Sequence, residues 1–241
     1  MRTETAISAF AHSSRGRLTP HDLGRFTGHT LFDRLARALC DVGCLPRKEL
    51  YEAWEVARRV RRVFRRGRVI DLAGGHGLLG QAMLLIGARG KTTGQATHGD
   101  CLIVVDKKVP PSAARVHETI ASAWPALADR VEFAVGDLTH VPIRSTDIVV
   151  SNHACGRLTD AVIDLAIAAR ARVAVLPCCH DVRACDTGPF GGWLDGPLAI
   201  DVRRATRLEA AGYHVRTQTI PADITPKNRL LIGEPLDRAA S

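Results

Sequence analysis

The sequence predicts an α/β fold: a mainly parallel β-sheet that ends in an antiparallel hairpin and is preceded by N-terminal helices. From Arg68 onward, five short apolar runs alternate with segments of helical spacing, which is typical of strands joined by crossover helices. Two final apolar runs are separated by only a short Pro-containing loop, too short for a parallel crossover. We therefore expect a basic helical segment over residues 1–67 and an α/β domain over residues 68–241.

The N-terminal segment is predicted to contain two helices. The first includes Leu31, Leu35 and Leu39, which recur at helical spacing, and Gly43 ends it. The second begins near Pro46, a residue that a first helical turn tolerates. One face of the second helix is apolar and consists of Leu50, Trp54, Ala57, Val60 and Phe64. Its other faces carry arginines at positions 58, 59, 61, 62, 65 and 66.

The strands and helices of the α/β domain are predicted from alternating apolar runs and helical spacing. The five runs of the parallel part are residues 69–72, 102–105, 131–135, 147–150 and 172–176. The crossover helices are predicted over residues 78–87, 112–123 and 159–170. The hairpin strands are predicted over residues 213–220 and 229–232. Residues 91–100 are predicted to form a polar loop, and residues 191–197 a turn-rich loop.

The net charge and the cysteines limit the class of protein. The formal net charge is +8, and residues 1–68 hold 15 Lys and Arg against 7 Asp and Glu, so the whole excess lies there. No apolar run approaches the roughly 20 residues that cross a bilayer, and residues 1–14 lack the pattern of a secretory signal. The number of cysteines, 7, is odd, and two are adjacent, which suits free thiols. We expect a cytoplasmic protein with no membrane partner.

A glycine-rich turn follows the first strand and precedes a helix. The residues are Val69-Ile70-Asp71-Leu72-Ala73-Gly74-Gly75-His76-Gly77-Leu78. Glycines let the backbone approach a ligand closely, and the helix that follows offers free N–H groups. A tight strand-to-helix turn also needs glycine for structural reasons alone, so this alternative stays open. The functional interpretation assigns Asp71, Ala73, Gly75 and Gly77 to a cofactor site.

Two further acids favour the cofactor site. Asp106 ends the second strand, where dinucleotide-binding folds place an acid against ribose hydroxyls. Asp137 follows the third strand, where an acid can accept a hydrogen bond from an adenine amino group. A nicotinamide enzyme would carry G-x-G-x-x-G, whereas this turn has the pattern D-x-A-x-G-x-G. It resembles the methyltransferase pattern [DE]-x-G-x-G-x-G with Ala73 in place of the first glycine, which implies a class I (Rossmann-like) methyltransferase and S-adenosylmethionine as cofactor.

Two polar motifs follow the fourth and fifth strands and should meet at one sheet edge. They are Ser151-Asn152-His153-Ala154-Cys155-Gly156 and Leu176-Pro177-Cys178-Cys179-His180. Together they resemble a methyltransferase domain of eukaryotic enzymes that 2′-O-methylate the tRNA acceptor stem, and the resemblance covers residues 68–234. It implies cofactor contacts at Ser151 and Asn152, and substrate contacts at Asn228 and Arg229. The motifs identify a domain rather than one substrate.

Methyl transfer to a hydroxyl requires alignment of the acceptor and loss of its proton. His153 or His180 could accept this proton, although catalysis by positioning alone stays open. Cys178 or Cys179 could instead act as a nucleophile, so the candidate catalytic residues are these two histidines and two cysteines. No CxxC pair is present, so the usual zinc spacing is missing and we expect no metal. A metal held by the Cys/His cluster is the remaining alternative.

The arginines of the second N-terminal helix suggest the acceptor. Clustered arginines neutralise a polyanion, so Arg58, Arg59, Arg61 and Arg62 are predicted to bind RNA, either tRNA or rRNA. The alternative interpretation of these residues is a solvated helix face. Two other functions stay open: a small-molecule methyltransferase with the N-terminal helices as a lid, and a cofactor-binding module without turnover.

Overall fold

The computed structural model describes residues 11–88 and 100–237. In this part of the chain, seven strands form one mixed sheet in the order β3-β2-β1-β4-β5-β7-β6. The strands are β1 (Val69–Leu72), β2 (Leu102–Asp106), β3 (Val131–Val135), β4 (Ile148–Ser151), β5 (Arg172–Val175), β6 (Tyr213–Thr219) and β7 (Arg229–Pro235). The first five strands pair in parallel, whereas β7 pairs antiparallel with both β5 and β6. This confirms the predicted parallel sheet with a terminal antiparallel hairpin.

Six α-helices accompany the strands in the described residues. They are α1 (Leu31–Val42), α2 (Arg47–Val63), α3 (Leu78–Gly87), α4 (Ala113–Ala123), α5 (Arg157–Ala169) and α6 (Gly196–Ala210). Thr30 and Asp33 form a capping box at the start of α1, and Gly43, in the left-handed region with φ 67°, ends it. No helix among these residues is long and apolar enough to span a bilayer.

The structure corrects the sequence prediction at a few elements. Helix α6 was not predicted, because arginines interrupt its apolar pattern and Arg204 is buried rather than exposed. The buried Arg204 guanidinium is held by Asp160 (2.8 Å) and by the Gly156 carbonyl (2.9 Å). Strand β7 is longer than predicted, since Glu234 and Pro235 still pair with β6. Most of the predicted polar loop, residues 91–99, lies outside the described residues.

Helices cover both faces of the sheet. Successive strand residues point to opposite faces, so Val69 joins an apolar cluster with α1 to α4, whereas Ile70 joins a cluster with α5 and α6. In the first cluster, Leu39 and Val60 of the N-terminal helices are buried with Met83 of α3. The described part of the N-terminal segment therefore shares its core with the α/β domain, and α2 lies beside the glycine-rich turn.

Candidate active site

The glycine-rich turn between β1 and α3 has a backbone that favours glycine. Gly75 and Gly77 have φ of 52° and 69°, and Ala73 also lies in the left-handed region, with φ 54°. A Cβ on Gly74 would lie 2.8 Å from the carboxyl carbon of Asp71, so the close approach of Gly74 to Asp71 requires glycine. A Cβ on Gly75 would meet nothing within 4 Å, so this side of the turn is open to a ligand.

The three acids lie near the carboxyl ends of β1, β2 and β3 and differ in their surroundings. Asp71 is buried and accepts a hydrogen bond from the Gly80 amide (3.0 Å), and burial raises its pKa to about 7. Asp106 accepts hydrogen bonds from the backbone amides of Gly75 (3.0 Å) and Lys108 (3.1 Å). It therefore fixes the open side of the turn.

Asp137 is partly exposed, unlike the buried Asp71, and it caps a short 3-10 helix. Its carboxylate accepts a hydrogen bond from the Thr139 amide (3.2 Å), and hydrogen bonds from Thr139 lower the pKa of this carboxyl. The Lys107 ammonium lies 3.6 Å from it. The capping role that a loop aspartate commonly has is therefore present here.

Asn152, directly after β4, is the least satisfied polar side chain at this edge. It is 3% exposed, and neither its amide oxygen nor its amide nitrogen has a hydrogen-bond partner among the described residues. Its neighbour Ser151 is satisfied, because its hydroxyl accepts a bond from the Ala154 amide (3.2 Å). Buried polar groups without partners are rare in folded proteins. The Asn152 amide is therefore a candidate contact for a bound ligand.

A small cavity joins Asn152 to the turn and to helix α2. Asp71, Gly74 and His153 line it from the sheet edge, and Glu49 and Ala53 line it from α2. The volume is about 10 Å³, room for roughly one water. The Glu49 carboxylate also lies 3.6 Å from the His76 ring. Helix α2 thus closes one end of the glycine-rich turn.

His153 is exposed and also lines a second, larger space of about 390 Å³. Cys178 and Cys179 line the same space, which we call the His153 groove. Three cationic side chains complete its wall, those of Arg15, Lys48 and Lys227. The structure thus brings His153 and the two cysteines together, as the shared sheet edge predicts, and adds a positive lining.

Three thiols cluster at this edge: those of Cys155, Cys178 and Cys179. The Sγ atoms of Cys155 and Cys178 are 3.0 Å apart, and those of Cys178 and Cys179 are 3.8 Å apart. Burial raises the pKa of Cys155 and of Cys178. The pKa of Cys179 is lowered, mainly by its hydrogen bond with Cys155. Cys179 is therefore the most readily ionised of the three.

His180 differs from His153 in its surroundings. Its side chain is 2% exposed, and its Nε2 lies 2.8 Å from Asp201 of α6. Asp201 also receives a hydrogen bond from Arg229 (2.7 Å). Burial by itself raises the pKa of Asp201, but hydrogen bonds from His180 and Arg229 outweigh it and lower this pKa. His180 therefore belongs to a buried polar network that joins the loop after β5 to α6 and β7.

The predicted substrate-binding residues have mixed surroundings. Arg58 and Arg59 both pair with Glu55, and Arg62 is exposed. The assignment of Arg61 to an exposed phosphate-binding face is wrong. Its side chain is buried and donates a hydrogen bond to the Met83 carbonyl (2.9 Å), because it continues the apolar stripe one turn after Ala57.

The two predicted substrate contacts near the hairpin also have partners within the chain. The Asn228 amide donates to the Ile220 carbonyl (2.9 Å) and closes the loop between β6 and β7. Arg229 is paired with Asp201. Sequence reasoning did not find Lys48, Glu49 or Lys227, because only tertiary packing brings them to the strand ends.

The strand order, the glycine-rich turn and the acids along one sheet edge define the fold of class I methyltransferases. A family model described as a methyltransferase domain matches residues 48–184, more than half of the chain. The chain belongs to this methyltransferase domain family, and family and fold imply S-adenosylmethionine as the cofactor of such a domain. No curated protein matches the sequence significantly.

Solved structures share the fold at low sequence identity. Magnesium protoporphyrin IX methyltransferase from Synechocystis PCC 6803, solved with bound SAH, is 16% identical, with a TM-score of 0.52 over 88% of this chain and 97% of that one. An O-methyltransferase family protein from Burkholderia thailandensis is 19% identical, with a TM-score of 0.48 over 90% of this chain. The chain spans 63% of that protein's length. The B. subtilis M1A22 tRNA methyltransferase TrmK is 16% identical, with a TM-score of 0.49 over 76% of this chain and 66% of that one.

Proposed function

We propose that this protein transfers a methyl group from S-adenosylmethionine to RNA, either tRNA or rRNA, and that the acceptor enters through the His153 groove. One observation carries the proposal: His153 lines both the small cavity at the glycine-rich turn and the positively lined groove. His153 thus lies between the proposed cofactor site and the proposed acceptor groove, where the methyl donor and the acceptor have to meet. The free cysteines support the expected cytoplasmic location.

The residues at the turn fit the cofactor. Gly75 leaves open space for it, Asp106 is available to its ribose hydroxyls, and Asp137 to its adenine amino group. The unpartnered Asn152 amide offers one donor and one acceptor group from the buried side. S-adenosylmethionine supplies a methyl group on a positively charged sulfur. The buried Asp71 supports the turn through the Gly80 amide.

The chain's own contribution to the chemistry is to hold the acceptor and to take its proton. His153 is exposed to the groove, and an imidazole can accept a proton from an RNA hydroxyl as methyl transfer proceeds. We place this role on His153 alone, since the His180 Nε2 is engaged by Asp201. Cys178 and Cys179 shape the groove wall. The resemblance of the two motifs to acceptor-stem 2′-O-methyltransferases supports a ribose hydroxyl as acceptor.

The charge of the groove supports a polyanionic acceptor. Arg15, Lys48 and Lys227 line it. Cationic side chains in a groove attract a phosphate backbone. A second candidate, a small-molecule methyltransferase with the N-terminal helices as a lid, is favoured by Glu49 and Ala53, which close the cavity at the turn.

The test is to incubate the protein with radiolabelled S-adenosylmethionine and with RNA, protein and small-molecule extracts of the same cells. We expect label in the RNA fraction. Label in the small-molecule fraction alone would contradict the RNA proposal and favour the lid. Absence of transfer to every fraction by a protein that binds the cofactor would support a module without turnover.

A charge variant tests the groove itself. Lys227→Gln should weaken RNA binding and reduce the slope of log affinity against log salt by about 1, as expected for one lost phosphate contact. Arg207→Gln is the matched control. Arg207 is exposed on α6, and α6 packs on the face of the sheet opposite to the one that α2 covers. An equal effect of both variants would contradict a specific role of the groove.

A further inference from the structure

The thiol cluster of Cys155, Cys178 and Cys179 is built from two loops at the same sheet edge. Cys155 follows β4, and the other two cysteines follow β5. A backbone hydrogen bond from the Gly156 amide to the Cys179 carbonyl (3.1 Å) ties the two loops together. The three Sγ atoms lie within 4.8 Å of one another. The arrangement is therefore set by the fold and not by one mobile side chain.

We propose that these three thiols bind a thiophilic divalent cation of the zinc class, with the fourth coordination position open to the His153 groove. Zinc–sulfur bonds of roughly 2.3 Å in a tetrahedral site place two sulfur ligands about 3.8 Å apart. The distance between the sulfurs of Cys178 and Cys179 is 3.8 Å, and that between Cys155 and Cys178 is 3.0 Å. The sulfurs of the third pair, Cys155 and Cys179, lie within 4.8 Å of each other.

The electrostatic environment suits such a site. A divalent cation with three thiolates has a net charge of −1, and Arg15, Lys48 and Lys227 line the groove beside it. Binding releases the thiol protons to solvent, because each sulfur must be a thiolate.

Access and coordination number point to an open site. Cys155 and Cys179 are exposed, so an ion can reach the cluster from the groove. Three protein ligands with a fourth position left to water or substrate is the arrangement of catalytic zinc sites, whereas structural sites have four protein ligands. In this cluster the fourth position can take water or an acceptor oxygen. The site does not depend on RNA being the acceptor.

The experiment uses the full chain, reduced, treated with a chelator and then freed of chelator. Zinc is titrated against a chromophoric competitor, and cobalt(II) is used in parallel for its thiolate charge-transfer absorption. We expect one ion per chain and thiolate-to-cobalt absorption. Cys155→Ser and Cys179→Ser should each lower zinc affinity by at least about 100-fold, because each removes a direct ligand. Removing a residue that only contacts a ligand costs roughly 10- to 100-fold. Cys101→Ser is the control, since Cys101 precedes β2 at the opposite edge of the sheet.

Three results would overturn the metal site. These are no binding by the reduced wild type, unchanged affinity in Cys155→Ser, or an equal loss in Cys101→Ser. Loss of two thiols on mild oxidation, with no zinc binding beforehand, would identify a Cys155–Cys178 disulfide pair instead. Circular dichroism shows whether each serine variant is folded, and the exposed positions Cys155 and Cys179 carry the test if Cys178→Ser fails to fold.

Discussion

Replacing Asn152 with alanine should stabilise the cofactor-free protein while weakening its binding of the cofactor. The buried amide has no partner among the described residues, and burying such a group costs about 1–3 kcal/mol in protein mutational data. Its removal leaves a space comparable with one water, roughly 30 Å³. At about 24 cal/mol per Å³, that cavity costs roughly 0.7 kcal/mol. We therefore expect the free energy of unfolding to rise by about 1 kcal/mol.

The assay is urea unfolding followed by tryptophan fluorescence, since Trp54 and Trp124 pack against the core. Calorimetry of the same variant should show S-adenosylmethionine affinity lowered about 5- to 150-fold, the equivalent of about 1–3 kcal/mol for lost buried hydrogen bonds. Asn228→Ala is the matched control. Its amide is bonded to Ile220, so this variant should lose stability and keep cofactor affinity. Lower stability of Asn152→Ala together with unchanged cofactor affinity would show that the Asn152 amide is satisfied in the cofactor-free protein and does not contact the cofactor.

Three further predictions concern the turn and the two histidines. Burial raises the pKa of the Asp71 carboxyl from an ordinary 3.8 to about 7. Between these two pH values the carboxyl is therefore protonated in the folded state and ionised in the unfolded state. Its contribution to the free energy of unfolding should therefore fall by up to about 1.4 kcal/mol per pH unit from pH 4 to 7, and urea unfolding of Asp71→Asn should lack this slope. His153→Ala should lower turnover about 10²–10⁴-fold with cofactor affinity kept; equal turnover in this variant and the wild type would show that His153 is not the base. His180→Ala should instead lower the free energy of unfolding by about 1–3 kcal/mol, since it deprives Asp201 of a buried partner. Ala73→Gly should change the thermal unfolding free energy by less than about 0.5 kcal/mol, because relief of its positive φ offsets the entropy that glycine adds to the unfolded chain; a loss near 1 kcal/mol would contradict this.

The sequence predicted the fold well where local spacing alone determines an element. The apolar run that forms β1 and the helix α3 were predicted with the bounds that the structure has, since a buried strand, glycines and an apolar helix follow one another directly. Helix α6 is not predicted because Arg204 occupies a core position, and its partners, Asp160 and the Gly156 carbonyl, are distant in the sequence. Only the folded chain shows that this arginine is satisfied.

The candidate site was predictable only in part. The parallel sheet explains why the residues after β4 and β5 meet, so His153, Cys178 and Cys179 could be grouped from the sequence. Arg61 was assigned to the surface from its charge, although its spacing from Ala57 places it on the buried stripe of α2. Lys227 reaches the groove from a distant hairpin loop, and helical or strand periodicity holds no signal for such a contact.

We expect S-adenosylmethionine to bind at the edge formed by the glycine-rich turn and Asp106, and calorimetric titration of the purified chain measures this binding. We expect S-adenosylmethionine and its demethylated product to bind and nicotinamide dinucleotides not to bind. Asp106→Ala should weaken binding about 5- to 150-fold, through the lost ribose contact and the freed Gly75 amide. Asp164→Ala, on the exposed side of α5, should bind as the wild type does. Undiminished affinity of a folded Asp106→Ala variant, or binding of a nicotinamide dinucleotide in place of S-adenosylmethionine, would contradict the account.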